Sequence, residues 1–487
     1  MSCPMSLGTL LEGWCDQPPV VVVTGLNLDS RHVQPGEAFV AVAGGRQHGL
    51  DFALQAEERG AAVVIHDGLA PVPQLGIPAV AVDGLGARLS ALAARFFHAP
   101  SERLTVAGVT GTNGKTSTAH FIAQAWHRAD GSAGLIGTLG YGALDRLRPA
   151  RLTTPDPISV QRALSECIDA GVERVAMEVS SHALEQGRCA DVAFEAAVLT
   201  NLSRDHLDYH GSMDNYAAAK RRLFTDCRPR FAVINADDEF GRSLADELEG
   251  GCQVLSYGMR QRAELRAEVV GMDASGLNLE LAGPWGGGRI HTGLMGRFNV
   301  SNLLAAAGTL ALLGMPWSQV LHQLELMHPV PGRMQCLGGE GGQPVVVVDF
   351  AHTPDALREA LTALGAHLHG RLTCVFGCGG DRDRGKRPLM AAIAEKLADR
   401  VVLTADNPRG ESLTEIFADM QTGLASPDRA LVIADRSAAI RRAIQDSRPG
   451  DIVLIAGKGH ETWQETNGQR LPFSDEAAVR AVLEEAA

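Results

Sequence analysis

Runs of β-branched and other apolar residues recur along the chain, and segments whose apolar residues have helical spacing separate them. In the last third of the sequence these runs occupy residues 345–349, 372–376, 401–405 and 451–456. Continuous apolar runs of this length that alternate with helices are typical of parallel strands buried on both faces. The pattern therefore predicts an α/β fold built on parallel sheets.

The same alternation fills the first two thirds of the chain. Strands are predicted at residues 19–24, 38–42, 61–65, 104–109, 174–178, 196–200 and 231–235. A helix is expected to end near Phe97, and another to run from about Asn299 to Leu313. A glycine-rich stretch at 283–289, before that second helix, has the composition of a hairpin.

Two short linkers divide this pattern into three blocks. His98-Ala-Pro-Ser101 and Pro329-Val-Pro-Gly332 contain the residues that interrupt helices and strands. A chain of 487 residues also predicts about three domains, at ~150 residues each. We expect a smaller N-terminal α/β domain over residues 1–100, a central parallel-sheet domain over 101–329 and a C-terminal α/β domain over 330–487.

Composition and charge exclude several classes of protein. A hydrophobic content of 45% argues against large-scale disorder, and a formal charge of -13 argues against nucleic acid as the main partner. The nine cysteines lack the spacing of a zinc site, which favours free thiols in a reducing compartment. No apolar run approaches the ~20 residues of a membrane span, and no Lys or Arg precedes Arg31. We therefore expect a cytoplasmic protein.

The strongest local signal is the stretch Gly108-Val-Thr-Gly-Thr-Asn-Gly-Lys-Thr-Ser117, which follows a predicted strand and opens a predicted helix. In that context, backbone N–H groups and a helix N-terminus hold a phosphate chain. Lys115 adds a positive charge for the β- and γ-phosphates, and Thr116 adds a hydroxyl for Mg²⁺. Val109 stands where the common phosphate-loop pattern has glycine. The combination predicts a site for a nucleoside triphosphate.

Each of the four strands predicted in the last block runs directly into a polar or glycine-rich turn. The turns are Asp349-Phe-Ala-His-Thr-Pro-Asp355, Gly377-Cys-Gly-Gly-Asp-Arg-Asp383, Asp406-Asn-Pro-Arg409 and Gly457-Lys-Gly-His-Glu461. Taken singly, each is most simply an ordinary helix cap or β-turn. Ligands of open parallel sheets bind beyond the carboxyl ends of the strands, so four such turns together predict one binding crevice.

Three polar residues of the central block are candidates for the same chemistry. Glu178 ends a predicted strand, where its carboxylate can reach a Mg²⁺ held by Thr116. His206 ends the stretch Asn201-Leu-Ser-Arg-Asp-His206, and from sequence alone it is either a ligand or a structural histidine in the core or at a helix cap. Lys220 lies on a predicted alanine-rich helix, where an isolated lysine most often faces solvent.

Taken together, these motifs resemble those of the Mur ligases, ATP-dependent enzymes that lengthen the peptide of the bacterial cell-wall precursor. The resemblance covers nearly the whole chain. It implies an N-terminal UDP-binding domain, a central ATP-binding domain of the P-loop type and a C-terminal Rossmann-like domain that binds an amino acid. The residues that it assigns to ATP are Gly111, Thr112, Asn113, Gly114, Lys115, Thr116, Ser117, Asn299, Arg333 and His352.

The resemblance also changes the interpretation of the lysine on the alanine-rich helix. Lys220 matches a lysine that the family carries as a carbamate, formed with CO₂. The carbamate, together with His206, implies a second Mg²⁺ beside the one assigned to Thr116 and Glu178. The catalytic group that follows from the resemblance consists of Lys115, Glu178, His206 and Lys220.

Two further sets of residues resemble the family's substrate sites. Those implied for UDP-MurNAc-L-Ala-D-Glu are Leu28, Ser30, Gly45, Arg46, Gln47, Thr153, Thr154, Ser180, Gln186 and Arg188. Those implied for meso-diaminopimelate are Arg387, Asp406, Asn407, Pro408, Arg409, Gly457 and Glu461. The turn Asp406-Asn-Pro-Arg409 is the most discriminating of these motifs, because the family's lysine-adding members generally differ there.

The implied reaction joins meso-diaminopimelate to the γ-carboxylate of D-glutamate through an acyl phosphate, with ATP as co-substrate. We expect a monomer whose partners are these small molecules. One alternative is a sister enzyme, either a lysine-adding ligase or a folylpolyglutamate synthetase. A second alternative, from another class, is a nucleotide-binding switch without ligase activity.

Overall fold

The structure is a computed structural model that describes residues 4–45, 47–260, 262–339 and 342–485. The chain divides into two compact units. The first contains Met1–Ala263 and Ala305–Met315, and the second contains Glu264–Leu304 and Pro316–Ala487. The boundaries predicted near residues 100 and 329 stay a prediction.

The first unit opens with a small α/β block. Its strands are β1 (Met5–Ser6), β2 (Val22–Val23), β3 (Leu26–Asn27), β4 (Ala38–Ala41), β5 (Val63–His66) and β6 (Ala79–Ala81), and its helices are α1 (Leu7–Leu10), α2 (Ala53–Glu58) and α3 (Leu85–Phe96). Strands β3 to β6 form a parallel sheet in sequence order, and β1 pairs with β2 antiparallel. Both central strands, β4 and β5, are buried along their whole length, as their continuous apolar sequences require.

A larger sheet follows in the same unit. Its strands are β7 (Thr105–Thr110), β8 (Gly134–Gly137), β9 (Gly140–Ala143), β10 (Arg174–Glu178), β11 (Ala196–Leu199), β12 (Phe231–Asn235) and β13 (Gln253–Gly258). Its helices are α4 (Lys115–Asp130), α5 (Pro157–Asp169), α6 (Ser181–Glu185), α7 (Leu207–His210), α8 (Met213–Thr225) and α9 (Glu239–Glu247). The strand order is β13-β12-β11-β7-β10-β8-β9, and only β9 of these runs antiparallel to its neighbour.

This strand order sets the position of the predicted phosphate loop. Because β7 lies between β10 and β11, the loop that follows it emerges at the centre of the sheet. The register pairs Val109 with Glu178 on one side, and Thr110 with Leu199 on the other. Residues at the carboxyl ends of β10 and β11 therefore flank the loop, as parallel pairing predicts.

The second unit contains three antiparallel strands, β14 to β16, and a mostly parallel sheet. Its strands are β14 (Leu265–Asp273), β15 (Gly276–Gly283), β16 (Gly286–Thr292), β17 (Gln335–Gly338), β18 (Val345–Asp349), β19 (Leu372–Phe376), β20 (Arg400–Leu403), β21 (Leu431–Val432), β22 (Ile452–Ala456), β23 (Trp463–Thr466) and β24 (Gln469–Pro472). The remaining helices are α10 (Arg297–Leu312), α11 (Trp317–Glu325), α12 (Pro354–Gly365), α13 (Lys386–Leu397), α14 (Leu413–Gln421), α15 (Arg436–Gln445) and α16 (Asp475–Glu485). Among all the helices described, none is both long and apolar enough to cross a membrane.

The main sheet of this unit has the order β17-β18-β22-β19-β20-β21, with parallel pairing from β18 to β21. Apolar side chains cover both faces of its central strands. The turns after β18, β19, β20 and β22 therefore lie along one edge of the sheet, which is the convergence that the sequence predicted. Strands β23 and β24 form a separate antiparallel hairpin.

A buried ion pair joins two of these strands to the last helix. Arg436 and Asp475 are both fully buried, and Nε of Arg436 donates to Oδ1 of Asp475 at 2.7 Å. The guanidinium also donates to the carbonyls of Ala405 at 3.1 Å and Ala456 at 3.0 Å. These carbonyls directly precede the turns after β20 and β22, so the ion pair fixes where both turns begin.

Replacing Arg436 by Met is expected to destabilise the second unit by about 3–5 kcal/mol, because Asp475 would remain buried without a counter-charge. Urea unfolding followed by circular dichroism measures the effect. Arg442 serves as the control, since its ion pair with Asp446 is largely exposed, and Arg442→Ala is expected to cost less than about 0.5 kcal/mol. The double variant Arg436→Met/Asp475→Leu is expected to recover most of the loss. Equal stability of Arg436→Met and the parent would contradict the assignment.

Candidate active site

The phosphate loop has a shape that only glycine permits at its first position. Gly111 has φ +149°, and a Cβ on it would lie 1.8 Å from Oγ1 of Thr200. Gly114 has φ +82° and immediately precedes α4, whose first residue is Lys115. The chain thus passes tightly over the end of β11 and presents the start of a sixteen-residue helix to a ligand.

Asn201, which follows β11, holds the loop in this shape. Its side chain accepts a hydrogen bond from the Asn113 amide at 2.9 Å and donates to the Asn113 carbonyl at 3.2 Å. Its own carbonyl accepts from the Thr112 amide at 2.9 Å, and Thr200 donates to the Asn113 carbonyl at 2.6 Å. The sequence analysis quoted Asn201 within a motif but gave it no role, because a contact between separate strands leaves no local signal.

Two lysines donate to the same loop carbonyl. Nζ of Lys115 lies 2.9 Å from the oxygens of Gly111 and Thr112, and Nζ of Lys220 lies 2.7 Å from the oxygen of Gly111. Lys220 is only 1% exposed, on helix α8. Its burial, reinforced by the positive charge of Lys115, lowers the pKa of Lys220 well below its usual value. The interpretation of Lys220 as a solvated lysine is therefore wrong.

Glu178 is buried beside the loop, where hydroxyl and amide groups surround its carboxylate. Thr116 donates to Oε2 at 2.7 Å, and the Thr138 amide donates to Oε1 at 2.7 Å. Burial raises the pKa of Glu178 above its usual value, against the effect of these hydrogen bonds. The adjacent hydroxyl and carboxylate are the hard oxygen donors that Mg²⁺ prefers.

The structure describes no group of three or more His, Cys, Asp or Glu residues that could hold a metal ion. Mg²⁺ keeps several waters and binds through one or two protein oxygens together with phosphates. Thr116 and Glu178 supply two such oxygens, and these oxygens are hydrogen-bonded to each other.

His206 lies at the surface near the buried lysine. Its side chain is 46% exposed and its backbone has φ +51°, at the residue before α7. Its ring centroid is 6.0 Å from that of Tyr216, and Nζ of Lys220 lies 4.4 Å from the centre of the same tyrosine ring. A second histidine, His182, packs edge-on against His206 at 5.0 Å. The exposed imidazole excludes a core histidine, and although His206 is the N-cap residue of α7, its side chain makes no capping hydrogen bond.

The residues predicted for the dipeptide part of the acceptor are connected to Glu178. Thr154 donates to the Glu178 carbonyl at 2.8 Å and accepts from the Ser180 amide at 3.0 Å. Arg188 donates to the Thr154 carbonyl at 2.8 Å, and its guanidinium also donates to Gln186. The hydroxyl oxygen of Thr153 lies 3.1 Å from that of Thr138, the residue whose amide donates to Glu178. The structure therefore brings these predicted residues into one network.

The residues predicted for the uridine diphosphate lie in the N-terminal block. Ser30 donates to the side chain of Gln55 at 2.7 Å, and the carbonyl of Gln47 accepts from the Gly44 amide. Leu28 and Gly45 lie in the neighbouring loops. Arg46 lies outside the described residues. The assignment of these residues to the nucleotide stays a prediction.

In the second unit, Asp349 organises the turn after β18. Its carboxylate accepts from the amides of Met334 and Ala351 at 2.7 and 2.8 Å, and burial raises its pKa. Arg333 lies over the ring of Phe350 at 4.9 Å, and Nδ1 of His352 lies 2.9 Å from the Phe350 carbonyl.

Asn299 is buried on α10 and donates to the Met295 carbonyl at 2.8 Å. The roles predicted for Asn299, Arg333 and His352 in binding ATP stay predictions.

The turn after β20 forms a pocket of mixed charge with the turn after β22. Asp406 is 8% exposed, and its burial raises its pKa. A Cβ on Gly457 would lie 2.8 Å from Oδ2 of Asp406, so glycine leaves room for this carboxylate. Nδ2 of Asn407 donates to Glu461 at 2.9 Å. The buried Lys458 donates to Oδ1 of Asn407 at 3.1 Å and to Glu461 at 3.0 Å.

Asn407 lies within the same network. Its Oδ1 accepts hydrogen bonds from Lys458 and from the Glu465 amide, and its predicted role in receiving the ligand's ammonium stays a prediction. Lys458 was quoted in a motif and given no role. Its full burial between an amide and a carboxylate identifies it as part of the same framework.

Arg387 requires a correction. It was expected to assist Arg409 at a ligand carboxylate, but it is fully buried and paired with Glu411 at 3.0 Å and Asp419 at 2.8 Å. The hydrogen bond from Arg387 lowers the pKa of Glu411 to about 2. Its guanidinium is therefore engaged within the protein. Sequence proximity to the turn suggested contact, but the periodicity of α13 directs this side chain inward.

The exposed arginine beside Arg409 is Arg382, which the sequence analysis missed. A Cβ on Gly379 would lie 3.0 Å from Nη1 of Arg409 and 3.8 Å from Cγ of Arg382, so the two side chains flank this glycine. Arg409 donates to the Gly380 carbonyl at 2.7 Å. Because a guanidinium has five N–H donors in a fork, Arg409 can also take a carboxylate.

Three protein-family models match parts of the chain. The Mur ligase family catalytic domain matches residues 22–97, and the Mur ligase middle domain matches residues 109–310. The Mur ligase glutamate ligase domain matches residues 332–459.

Curated proteins and a solved structure are similar over nearly the whole chain. The UDP-N-acetylmuramoyl-L-alanyl-D-glutamate–2,6-diaminopimelate ligase of Pseudomonas aeruginosa (strain PAO1) is 49% identical over 483 residues, which cover 98% of each protein. The protein of the same name from Xylella fastidiosa (strain Temecula1) is 49% identical over 468 residues, or 95% of this chain and 94% of the relative. A solved structure under that name has a TM-score of 0.76 and 34% identity, and covers 99% of both chains.

Replacing Lys115 by Ala is expected to reduce ATP turnover by roughly 10²–10³-fold, because the charge beside the phosphate loop is lost. Release of ADP in a coupled assay measures the effect. Lys396→Ala, which changes an exposed lysine on α13, is the matched control and is expected to retain parental turnover. Both variants are expected to unfold at the parental temperature. Near-normal turnover by Lys115→Ala would exclude the assigned role.

Proposed function

The chain belongs to the Mur ligase family, and we propose that it adds meso-2,6-diaminopimelate to the D-glutamate γ-carboxylate of UDP-MurNAc-L-Ala-D-Glu, with ATP as co-substrate. Relatives that are 49% identical carry this activity in their names. The product is the UDP-MurNAc-tripeptide used in peptidoglycan synthesis. The observation in this chain that carries the proposal is the turn that combines Arg409 with the buried Asp406 beside Glu461.

That pocket matches the chemistry of the distal end of diaminopimelate. This end bears a carboxylate and an ammonium, whereas lysine bears an ammonium alone. The Arg409 fork suits the carboxylate, with Arg382 beside it. Asp406 and Glu461 suit the ammonium, since both carry carboxylates at the pocket. Binding lysine would leave the Arg409 guanidinium without its anion, which costs about 1.5–3 kcal/mol.

The first chemical step joins two anions. A γ-carboxylate oxygen of the acceptor attacks the γ-phosphorus of ATP, and the bond to the β-phosphate oxygen breaks to give an acyl phosphate and ADP. Cancelling the negative charge is the main requirement of such a transfer. Lys115 supplies an ammonium at the loop, and the loop amides and the start of α4 add partial positive charge. Thr116 and Glu178 would hold Mg²⁺, which neutralises phosphate charge when bound.

The second step forms the amide. The amine of diaminopimelate attacks the acyl carbon, a tetrahedral adduct forms, and phosphate leaves as the C–N bond is completed and the amine loses a proton. The pocket around Asp406 and Arg409 holds the far end of the amino acid, which leaves the near amine to react. Network contacts from Thr154 and Arg188 beside Glu178 suit the orientation of the acceptor's dipeptide.

The proposed carbamate follows from the state of Lys220. Burial lowers the pKa of Lys220 well below its usual value, which favours the neutral amine that can attack CO₂. A bond forms between Nζ and the carbon of CO₂, and one proton leaves, so the product is an anion. The product keeps one N–H, which can still donate to the Gly111 carbonyl. With His206 nearby, this anion would hold the second Mg²⁺.

The alternatives differ in what they require of these residues. A lysine-adding ligase has no need of Arg409, and a folylpolyglutamate synthetase has no need of the uridine residues of the N-terminal block. A nucleotide-binding switch has no need of Lys220 and His206 together with the mixed-charge pocket. The monomeric state and the cytoplasmic location stay predictions.

Mass spectrometry of the product from an equimolar mixture of meso-diaminopimelate and L-lysine tests the proposed function. With ATP and UDP-MurNAc-L-Ala-D-Glu, the parent is expected to form the diaminopimelate product in excess by orders of magnitude. Arg409→Met is expected to reduce that preference by about 10–100-fold, since the ion pair with the distal carboxylate is lost. Comparable incorporation of lysine by the parent would overturn the proposal. ATP turnover that ignores both amino acids would indicate a switch.

Replacing Lys220 by Met tests the carbamate. The thioether cannot react with CO₂, so ligation is expected to fall by at least 100-fold while the unfolding temperature stays close to the parental one. Lys396→Met is the control. Acetate, which can place a carboxylate in the vacated space, is expected to restore part of the activity of Lys220→Ala. Parental activity of Lys220→Met in buffer freed of CO₂ would exclude a role for the carbamate.

A further inference from the structure

The hairpin of β23 and β24 is bonded to the turn Asp406-Asn-Pro-Arg409 along most of the turn's length. Gln464 donates from Nε2 to the Asp406 carbonyl at 2.6 Å, and the Glu465 amide donates to Oδ1 of Asn407 at 2.9 Å. The Arg409 amide donates to the Glu465 carbonyl at 3.1 Å, and the Arg409 carbonyl accepts from the Asn467 amide at 2.7 Å. Three of the turn's four residues are thus tied to one hairpin.

These bonds hold Arg409 in a backbone conformation that is uncommon for its residue type. Arg409 has φ +52°, in the left-handed region of backbone conformation. For any residue other than glycine, this conformation costs about 1 kcal/mol or more. The hairpin bonds both the amide and the carbonyl of this residue. Without those bonds, the turn would relax and the guanidinium would point elsewhere.

The hairpin contributes little to the packing of the fold. Every residue of β24 is exposed, β23 is half-buried, and neither strand contributes to the two hydrophobic core clusters on the main sheet of this unit. Asn467-Gly468 joins its two strands, with φ +50° and +74°. Such a two-residue turn matches the twist of paired strands. The strands β23 and β24 pair with each other, and Thr466 of β23 makes an isolated parallel bridge with Arg409.

An aromatic residue at the base of the hairpin connects it to the other side of the pocket. Two cations lie over the ring of Trp463. Nζ of Lys458 is 5.6 Å from the ring centre, and the guanidinium of Arg470 is 4.1 Å from it. Lys458 is the buried residue that bonds both Asn407 and Glu461. The hairpin therefore contacts the turn that carries Arg409 and the lysine that orients Glu461.

We propose that the β23–β24 hairpin is a specificity-determining element, and that Gln464 is a positioning residue that holds the Asp406–Arg409 turn in the shape that recognises the distal end of the amino-acid substrate. This inference rests on the proposed function for the identity of that substrate. Gln464 acts through the turn, since its amide group is committed to the Asp406 carbonyl. Its effect is expected on the amino acid alone, because the bonds of the hairpin described above go to the turn that carries Arg409.

The test compares Gln464→Met with Gln469→Met, a substitution of the same type in the opposite strand of the same hairpin, where the side chain is exposed. For Gln464→Met, KM for diaminopimelate is expected to rise about 5–30-fold, since the Asp406 carbonyl loses its donor. The kcat and the KM values for ATP and the nucleotide acceptor are expected to stay within about twofold. The preference for diaminopimelate over lysine is expected to fall by a factor similar to the rise in KM. Gln469→Met is expected to match the parent.

Hydrogen exchange supplies a readout that requires no substrate. The amides of Arg409 and Asn467 are expected to exchange at least fivefold faster in Gln464→Met than in Gln469→Met, because both amides donate across the contact that Gln464 supports. Gln464→Glu, which keeps the volume and removes the donor, is the second variant should Gln464→Met fail to fold. An unchanged exchange rate together with an unchanged KM would overturn the inference. A rise in all three KM values together would indicate general loosening and would also overturn it.

The result separates the inference from the proposed function. A parent that uses lysine in place of diaminopimelate contradicts the proposed function, while the KM for lysine in Gln464→Met still decides whether the hairpin positions the pocket. A parent that prefers diaminopimelate, with Gln464→Met equal to it, leaves the proposed function intact and contradicts the inference.

Discussion

The candidate active site depends on the placement of two amines at one carbonyl oxygen. Lys115 and Lys220 both donate to the Gly111 carbonyl, and the second of them is almost fully buried. Burial, reinforced by repulsion from the positive charge of Lys115, lowers the pKa of Lys220 and favours its neutral form. A carbamate on Lys220 would turn this repulsion into attraction. One steric arrangement thereby determines both the cation that meets ATP and the amine that is free to react with CO₂.

The continuous apolar strands could be predicted from the sequence because burial on both faces leaves an unbroken run of apolar residues. β10, β12, β18 and β19 have the predicted bounds. The antiparallel strands β14 to β16 were missed apart from the turn near Gly283, since each has polar residues on one face. The β23–β24 hairpin was missed as well, although the pair Asn467-Gly468 is a local signal that could have revealed it.

The site residues that could be predicted are those with a local sequence signal, as for the strands. Thr116 and Glu178 could be predicted because a strand end and a glycine loop fix their positions, and the structure places them 2.7 Å apart. Arg387 could not be told from Arg382 in the same way, since only the folded helix α13 reveals which arginine is buried. The roles of Asn201, Thr138 and Lys458 depend on bonds between segments distant in sequence. Such contacts leave no pattern in a single chain.

The mixed charge of the pocket after β20 also constrains the compounds that could compete for it. A competitor would have to satisfy a guanidinium and a buried carboxylate at once, and would therefore be a zwitterion with a large cost of leaving water. Adding apolar surface to such a competitor would gain little binding free energy in this pocket. Tight inhibitors are better sought among rigid molecules whose opposite charges are already fixed at the right separation, since preorganisation reduces the entropy lost on binding.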